Sequence, residues 1–508
     1  MENRNMDHKR FPRLFYNRTT FIGVAISLVS IIVMTFLYLI DVYASETNPY
    51  FGIFLYMIMP VFLIGGMILI PVGMYFNWRR WKKTGEMQVP QWPLIDLNDK
   101  SQRNAAFIFV IGTIIFLGIS AVGSYEAFHY SESVEFCGRL CHSVMKPEYT
   151  AYSHSPHARV ACVACHVGPG ADWYARSKLS GAYQVYATAA DIYPRPIPTP
   201  IENLRPAQET CEQCHWPEKF FGSRQVINDH YMYDAENTHW PITMMMKIGG
   251  RNIRSGEVTD IHWHVNPDVD VLYIPRDDGR QNIPWVKVIN HITGEETVYQ
   301  NENEPLSAEE IAAAKPRLMD CVDCHNRPSH IYNSPDYAIN EAIAAGLIDP
   351  ALPEIKSIAV KVMAAEYETE TEALESISKS ITEFYQSEYP EVFDSQKTVI
   401  DRAITAVREE FSMNIFPEMK VRWEVYPNNI GHFNWPGCMR CHEGNHINAQ
   451  NKAITHECNA CHVITAQGGG ERAMRAMTSD GLEFVHPEDI DEMWKEMGCY
   501  ECHTGTQP

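Results

Sequence analysis

Positive charge is scarce in this 508-residue chain. Its 42 Lys and Arg stand against 63 Asp and Glu, a net charge of −21, which excludes a basic nucleic-acid-binding surface as its organising feature. With 21% charged and 45% hydrophobic residues, a disordered chain is excluded as well. No cysteine stands alone, because all fourteen fall in seven close pairs. At roughly 100 to 200 residues per domain, the length predicts three or four structural units rather than one core. Charge is also unevenly spread. Up to residue 103 there are 11 Lys and Arg against 7 Asp and Glu, a balance of +4, which leaves −25 for the remainder. The two parts are built for different surroundings.

Three apolar stretches, Phe21 to Ile40, Phe51 to Phe76 and Ala105 to Gly123, are each long enough to cross about 30 Å of hydrocarbon as a helix. Pro60 and Pro71 interrupt the second, which predicts a kinked span packed against neighbours. A cleaved signal peptide does not fit the first, since the apolar run is too long and no small-residue cleavage site precedes Tyr43. Basic residues set the expected orientation. Arg4, Lys9, Arg10, Arg13 and Arg18 precede span one, none lies between Asp41 and Tyr50, and Arg79, Arg80, Lys82, Lys83, Lys100 and Arg103 lie between spans two and three. The N-terminus is therefore predicted inside, and everything after about Gly123 outside, in a periplasm or its equivalent.

Each cysteine pair is followed at once by histidine: Cys137/Cys141/His142, Cys162/Cys165/His166, Cys211/Cys214/His215, Cys321/Cys324/His325, Cys438/Cys441/His442, Cys458/Cys461/His462 and Cys499/Cys502/His503. Six read C-x-x-C-H, the c-type haem attachment signature, and the first is C-x-x-x-C-H. Two thiols form thioethers to the haem vinyl groups, and the adjacent His is carried to the iron. Zinc ribbons need no following His, and disulfides do not explain one after every pair. The pattern predicts seven covalent haem c groups. It also predicts an outer part whose core is largely porphyrin.

No motif ends in Lys, so nothing points to a lysine-ligated catalytic haem. If every iron is six-coordinate, the second ligands must come from the remaining His. His157, His330, His446 and His486 rank first by nearness to motifs, and His432 follows. One of His262 and His264 comes last, with His264 carried as the candidate; on a strand the two would point to one face.

From Phe136 to Trp216 the chain resembles the NapC/NirT (NrfH-like) family of membrane-anchored quinol dehydrogenases. The resemblance is carried by Cys137 to Met145 (CGRLCHSVM), Ser155 to His166 (SPHARVACVACH), Ser177 to Tyr186 (SKLSGAYQVY) and Cys211 to His215. With three spans and seven motifs, the whole looks like the longer inner-membrane relatives of metal-reducing bacteria. That resemblance implies menaquinol oxidation and delivery of electrons to periplasmic c-type cytochromes, other periplasmic or outer-membrane redox proteins, or a larger respiratory complex. It also implies Met145 as a ligand of the first iron. This chain departs from the family in the extra residue of motif one, in Met145 falling three positions after His142, and in Gln184 standing where the family has a carboxylate. The family lysine aligns one position off Lys178.

Ala171 to Ala190 reads as a helix whose aromatic and basic residues suit a membrane interface. Lys178, Asp172 and Gln184 on it, with Tyr125, Glu126 and His129 at the exit of span three, are the candidates to bind quinol or take its protons. Interfacial anchoring alone is the plainer alternative.

The expected fold is a membrane-anchored multihaem cytochrome c, with three N-terminal transmembrane helices and a mainly α or irregular haem-packed outer domain carrying a small β insertion. Its expected parts are a cytoplasmic tail (1–20), the membrane anchor (21–125) and a NapC/NirT-like domain (126–221). A β-rich insertion (222–303), a region with motif four and helices (304–420) and a C-terminal three-haem cluster (421–508) follow. Strands are predicted at Val269 to Ile274, Trp285 to Ile292 and Thr297 to Tyr299, and helices at Ser307 to Lys315, Asp336 to Ala345, Glu354 to Tyr385 and Ser395 to Phe411. The rival function is an electron-conduit subunit of a larger complex that never touches quinol.

Overall fold

The computed structural model describes residues 13–43, 58–85, 96–168, 170–201, 204–216, 220, 222–251 and 258–506. Two compact units emerge: Met1–Ser131 with Val167–Ala182, and Glu132–His166 with Tyr183–Pro508. The first is the membrane part. Helices α1 (Arg18–Tyr43), α2 (Met59–Thr84) and α3 (Lys100–Ser131) are each long and apolar enough to span a bilayer. Residues 51–57 of the predicted second span lie outside the described residues.

Lipid tails are as apolar as leucine, so helices associate in a membrane by close packing of small residues rather than by hydrophobic burial. The contact between α1 and α2 follows that rule. A Cβ added at Gly23 would lie 2.7 Å from the Gly66 carbonyl oxygen, and Thr20, Ser27 and Ser30 are buried. Pro60 starts α2 instead of interrupting it; only Pro71 is internal, and beside it the Thr20 hydroxyl donates to the Ile70 carbonyl at 3.3 Å.

In the second unit, helix α4 (His142–Ser153) follows motif one. Helix α5 (Ala171–Ala189) runs from the first unit into the second. The strands form two main sheets. Strands β1 (Arg224–Tyr231), β2 (His239–Met246), β3 (Val269–Ile274), β4 (Trp285–Asn290), β5 (Glu296–Asn301) and β6 (Arg317–Leu318) precede motif four. Strands β7 (His446–Asn448), β8 (His462–Gln467) and β9 (Met474–Arg475) come from the C-terminal region. One sheet has the order β1-β2-β8-β9 and the other β6-β3-β4-β5-β7. Segment 222–303 is thus not a sheet of its own. Its strands are divided between two sheets, each completed from the C-terminal region, and the motifs sit at the joins: β6 runs into Cys321, β7 follows His442, and β8 begins at His462.

Helices α6 (Pro335–Ala344), α7 (Ile355–Ala364), α8 (Glu370–Glu388) and α9 (Pro390–Asn414) fill the chain between motifs four and five. The predicted continuous helix from Glu354 to Tyr385 is two helices, broken before Thr369, whose hydroxyl caps α8 at the Glu372 amide. Their buried faces carry Ile339, Ile355, Met363, Ile377, Ile381, Tyr385 and Phe411 at 0% exposure, one contiguous core of side chains. The outer part therefore has a conventional apolar core in addition to its motif-bearing regions.

Candidate functional site

Short turns present the motifs. Cys162–His166, Cys321–Cys324, Met439–His442 and Cys499–Cys502 are single α-turns, and Cys211–Gln213 and Cys458–Ala460 are 3-10 turns. The first motif lies on a π-turn, Phe136–Leu140. A π-turn takes in one more residue than an α-turn. The extra residue of C-x-x-x-C is absorbed there, and His142 still opens α4.

Six of the motif histidines face a second histidine. Ring centroids are 6.3 Å apart for His166 and His330, 6.1 Å for His215 and His157, and 6.3 Å for His325 and His262. They are 5.7 Å apart for His442 and His264, 6.2 Å for His462 and His432, and 6.1 Å for His503 and His486. An imidazole nitrogen sits about 2 Å from a metal ion it ligates and about 1 Å from its own ring centre, so two imidazoles on opposite sides of one ion have centroids about 6 Å apart. The spacing suits an iron between each pair.

Hydrogen bonding points the same way. Nδ1 lies 3.1 Å from the Pro328 carbonyl oxygen in His157, 3.1 Å from that of Glu148 in His330, and 2.9 Å from that of Ile248 in His262. It lies 2.8 Å from the Ile261 oxygen in His264 and 3.0 Å from the Glu488 oxygen in His486. A ring anchored this way at Nδ1 presents Nε2 to a metal. Burial holds the imidazoles of His166, His264, His325, His432, His462 and His503 below their ordinary range and pushes His330 down to about 4, which keeps them in the neutral, ligating form. Beside His330, Arg327 Nη2 and Tyr332 Oη are buried without hydrogen-bond partners, leaving donors for an acidic group such as a haem propionate. The residues present fit haem c.

Two expectations change. His446 is fully buried with both nitrogens occupied, Nδ1 2.7 Å from Glu443 Oε1 and Nε2 2.7 Å from the Ile283 carbonyl oxygen, so neither is left for an iron. His262 and His264 lie on a 3-10 turn, Ile261–Val265, rather than on a strand. With three residues per turn, positions i and i+2 point about 120° apart instead of sharing a face, and each ring meets a different motif histidine. His142 stands exposed at the start of α4, and Met145 is half-buried one turn later on the same side of that helix.

At the outer end of α3, Lys178 Nζ donates to the Ser131 hydroxyl at 3.2 Å and lies 5.0 Å from the Tyr174 ring centre, and Phe128 and Tyr174 are 6.4 Å apart. His129 is exposed on the same turn of α3, its ring 4.3 Å from that of Tyr125. Gln184 is exposed and, six positions after Lys178, faces a different side of α5. Asp172 lies in the first turn of α5; its side chain is outside the described residues.

Residues 99–196 match the model of the NapC/NirT cytochrome c family, N-terminal region. The chain is 42% identical over 488 residues, 96% of its length and 95% of the relative's, to the cytochrome c-type protein ImcH of Geobacter sulfurreducens. The chain belongs to the NapC/NirT family of c-type cytochromes. It is also 30% identical over 112 residues, 22% of its length, to the cytochrome c-type protein NrfH of Wolinella succinogenes, of which this covers 60%. No solved structure matches it. As a NapC/NirT cytochrome the chain is a membrane-anchored electron-transfer protein with covalently bound haem c.

Proposed function

We propose that this NapC/NirT cytochrome carries seven haem c groups and oxidises menaquinol at the outer face of the bacterial inner membrane, with its N-terminus cytoplasmic and its haem domain periplasmic. Its electrons then go to periplasmic or outer-membrane redox partners. Haem c, when bound, takes and gives one electron at a time at its iron. The seven motif cysteine pairs hold it covalently, and His142, His166, His215, His325, His442, His462 and His503 ligate from one side. On the other side stand His330, His157, His262, His264, His432 and His486, in the pairs described above. His446 is not in this set. Met145 is the candidate for the first iron.

Quinol gives up two electrons and two protons, so the chain must bind its headgroup and accept protons at the lipid edge. The observation that carries this reading is the Lys178–Ser131 hydrogen bond, which holds an ammonium at the outer end of a spanning helix, against Tyr174. Lys178 donates to a headgroup oxygen, Tyr174 and Phe128 offer apolar ring faces, and His129 takes a proton from the same turn. Asp172 and Gln184, elsewhere on α5, are the reserve candidates. Cys137 follows Ser131 by six residues, so the first haem is the natural recipient.

The test is the rate of reduction by a menaquinol analogue in the purified, full-length protein. Lys178→Ala lowers that rate about tenfold or more, which corresponds to about 1.4 kcal/mol of lost stabilisation, while dithionite reduction and haem content stay intact. Unchanged quinol kinetics in Lys178→Ala, Gln184→Ala and Met145→Leu alike would overturn the site and leave the conduit reading in its place.

A further inference from the structure

The histidines at 262 and 264 are two residues apart, yet their rings meet those of motif four and motif five respectively. We propose that the Ile261–Val265 turn is a two-iron bridge, and that the haems follow one another in space in their sequence order. His262 completes the ligands of the haem at Cys321/Cys324 and His264 those of the haem at Cys438/Cys441, so electrons pass from the fourth haem to the fifth across this turn. The inference rests on the haem assignment proposed above.

Three observations support it. The ligand geometry is in place at both ends: His262 is parallel to His325 within 5°, and both bridge rings are fixed through Nδ1 on backbone carbonyls. The turn is anchored in the sheet that also frames both motifs. Trp263, between the two histidines, packs with Cys441 against the buried cluster of Val269, Val271 and Tyr273. The third observation is the succession of cysteines. Cys137 is a hydrogen-bond neighbour of Cys162, and Cys211 of Cys321. Cys165 lies within electrostatic reach of Cys211 and Cys214, Cys324 of Cys438, Cys461 of Cys438, and Cys499 of Cys458. Every motif thus has the next motif in the sequence as a spatial neighbour.

The same device recurs at the C-terminal end. His432 faces His462, and the adjacent Phe433 stacks on His503 at 4.5 Å. In the step at the bridge, one electron leaves the ferrous iron between His262 and His325 and reduces the ferric iron between His264 and His442. No bond forms or breaks, and no proton moves.

The experiment uses the full-length protein in detergent. In low-temperature electron paramagnetic resonance of the oxidised protein, His262→Met and His264→Met each lose one bis-histidine signal of seven-haem material. The two signals differ, and the double variant loses both. Loss of the same signal in both single variants, or no loss in either, would overturn the bridge. The order is tested with Cys438→Ala/Cys441→Ala, which lacks the fifth haem: a menaquinol analogue should reduce four haems rapidly, whereas dithionite reduces all six. Rapid reduction of all six by the analogue would overturn the order. If the wild type takes no electrons from the analogue, the quinol reading fails, and the spectra still decide the bridge; should the cysteine variant not fold, His264→Met carries the kinetic test, with slowed reduction confined to three haems.

Discussion

Glu443 Oε1 lies 2.7 Å from Nδ1 of the fully buried His446, and the opposite ring nitrogen meets the Ile283 carbonyl oxygen at the same distance. This histidine ties the end of motif five to the loop before β4. Replacing it with leucine leaves a buried carbonyl and a buried carboxylate without a donor, a loss of about 2 to 4 kcal/mol. His446→Leu should therefore lower the unfolding temperature while leaving haem content and the six-coordinate spectrum unchanged. A new high-spin species in that variant would return His446 to the ligands.

A second buried polar contact supports the helical core. Lys356, 1% exposed, reaches Asp336 Oδ1 at 2.7 Å and lies 4.7 Å from the Tyr233 ring centre. Burial alone would raise the Asp336 carboxyl, but the Lys356 ammonium and the hydrogen bonds from Lys356 and Tyr233 outweigh it and hold the group below its usual range. A depressed carboxylate stabilises the fold above its unfolded value, and that stability is lost as pH falls through the folded one. Lys356→Met should destabilise by about 3 to 5 kcal/mol at pH 7, because it strands a buried charge. The loss should narrow as the solution is acidified, which denaturant unfolding at several pH values would show.

Glu410 behaves in the opposite sense. Burial, with Glu409 adding to it, raises this carboxyl to about 7. The folded state therefore favours the protonated form, and stability falls as pH rises from the ordinary carboxylate range through 7. Glu410→Gln removes the penalty. It should stabilise the protein by on the order of 2 kcal/mol at pH 8 and by nothing measurable at pH 4, after discounting for partial exposure. An equal effect at both pH values would place its origin in packing instead.

The parts of this molecule legible in the sequence are those set by local pattern. Twenty apolar residues in a row mark a span wherever they pack, and β-branched Val269 to Ile274 is the strand β3 to the residue. Strand β2 is not legible in the same way. It is rich in methionine, and its second neighbour β8 lies more than 200 residues away. The break between α7 and α8 was signalled, since Thr369 with Glu372 three positions on has the form of an N-cap, but it sits inside a run of good helix formers. The second ligand of each iron is a long-range fact. Nearness to a motif favours His446 over His262, and only the fold shows that the first is locked by oxygen atoms on both sides while the second is aimed at His325.

The unusual first motif offers the last test. Its π-turn brings Gly138 against Tyr149 of α4 so closely that a Cβ there would fall on the ring, in contact with Cδ2 and within 3.0 Å of Cε2. Arg139 reinforces the same contact, its Nε donating to the Tyr149 hydroxyl at 3.0 Å. An alanine at 138 must push Tyr149 away or unwind the turn that spaces Cys137 from Cys141, since aromatic rings packed this tightly do not yield without moving their helix. Gly138→Ala should therefore reduce covalent haem by one equivalent, read by mass spectrometry of the denatured protein. The companion Tyr149→Ala, which removes the obstacle, should restore it in the double variant. Full haem content in Gly138→Ala alone would mean that attachment at motif one does not depend on the π-turn.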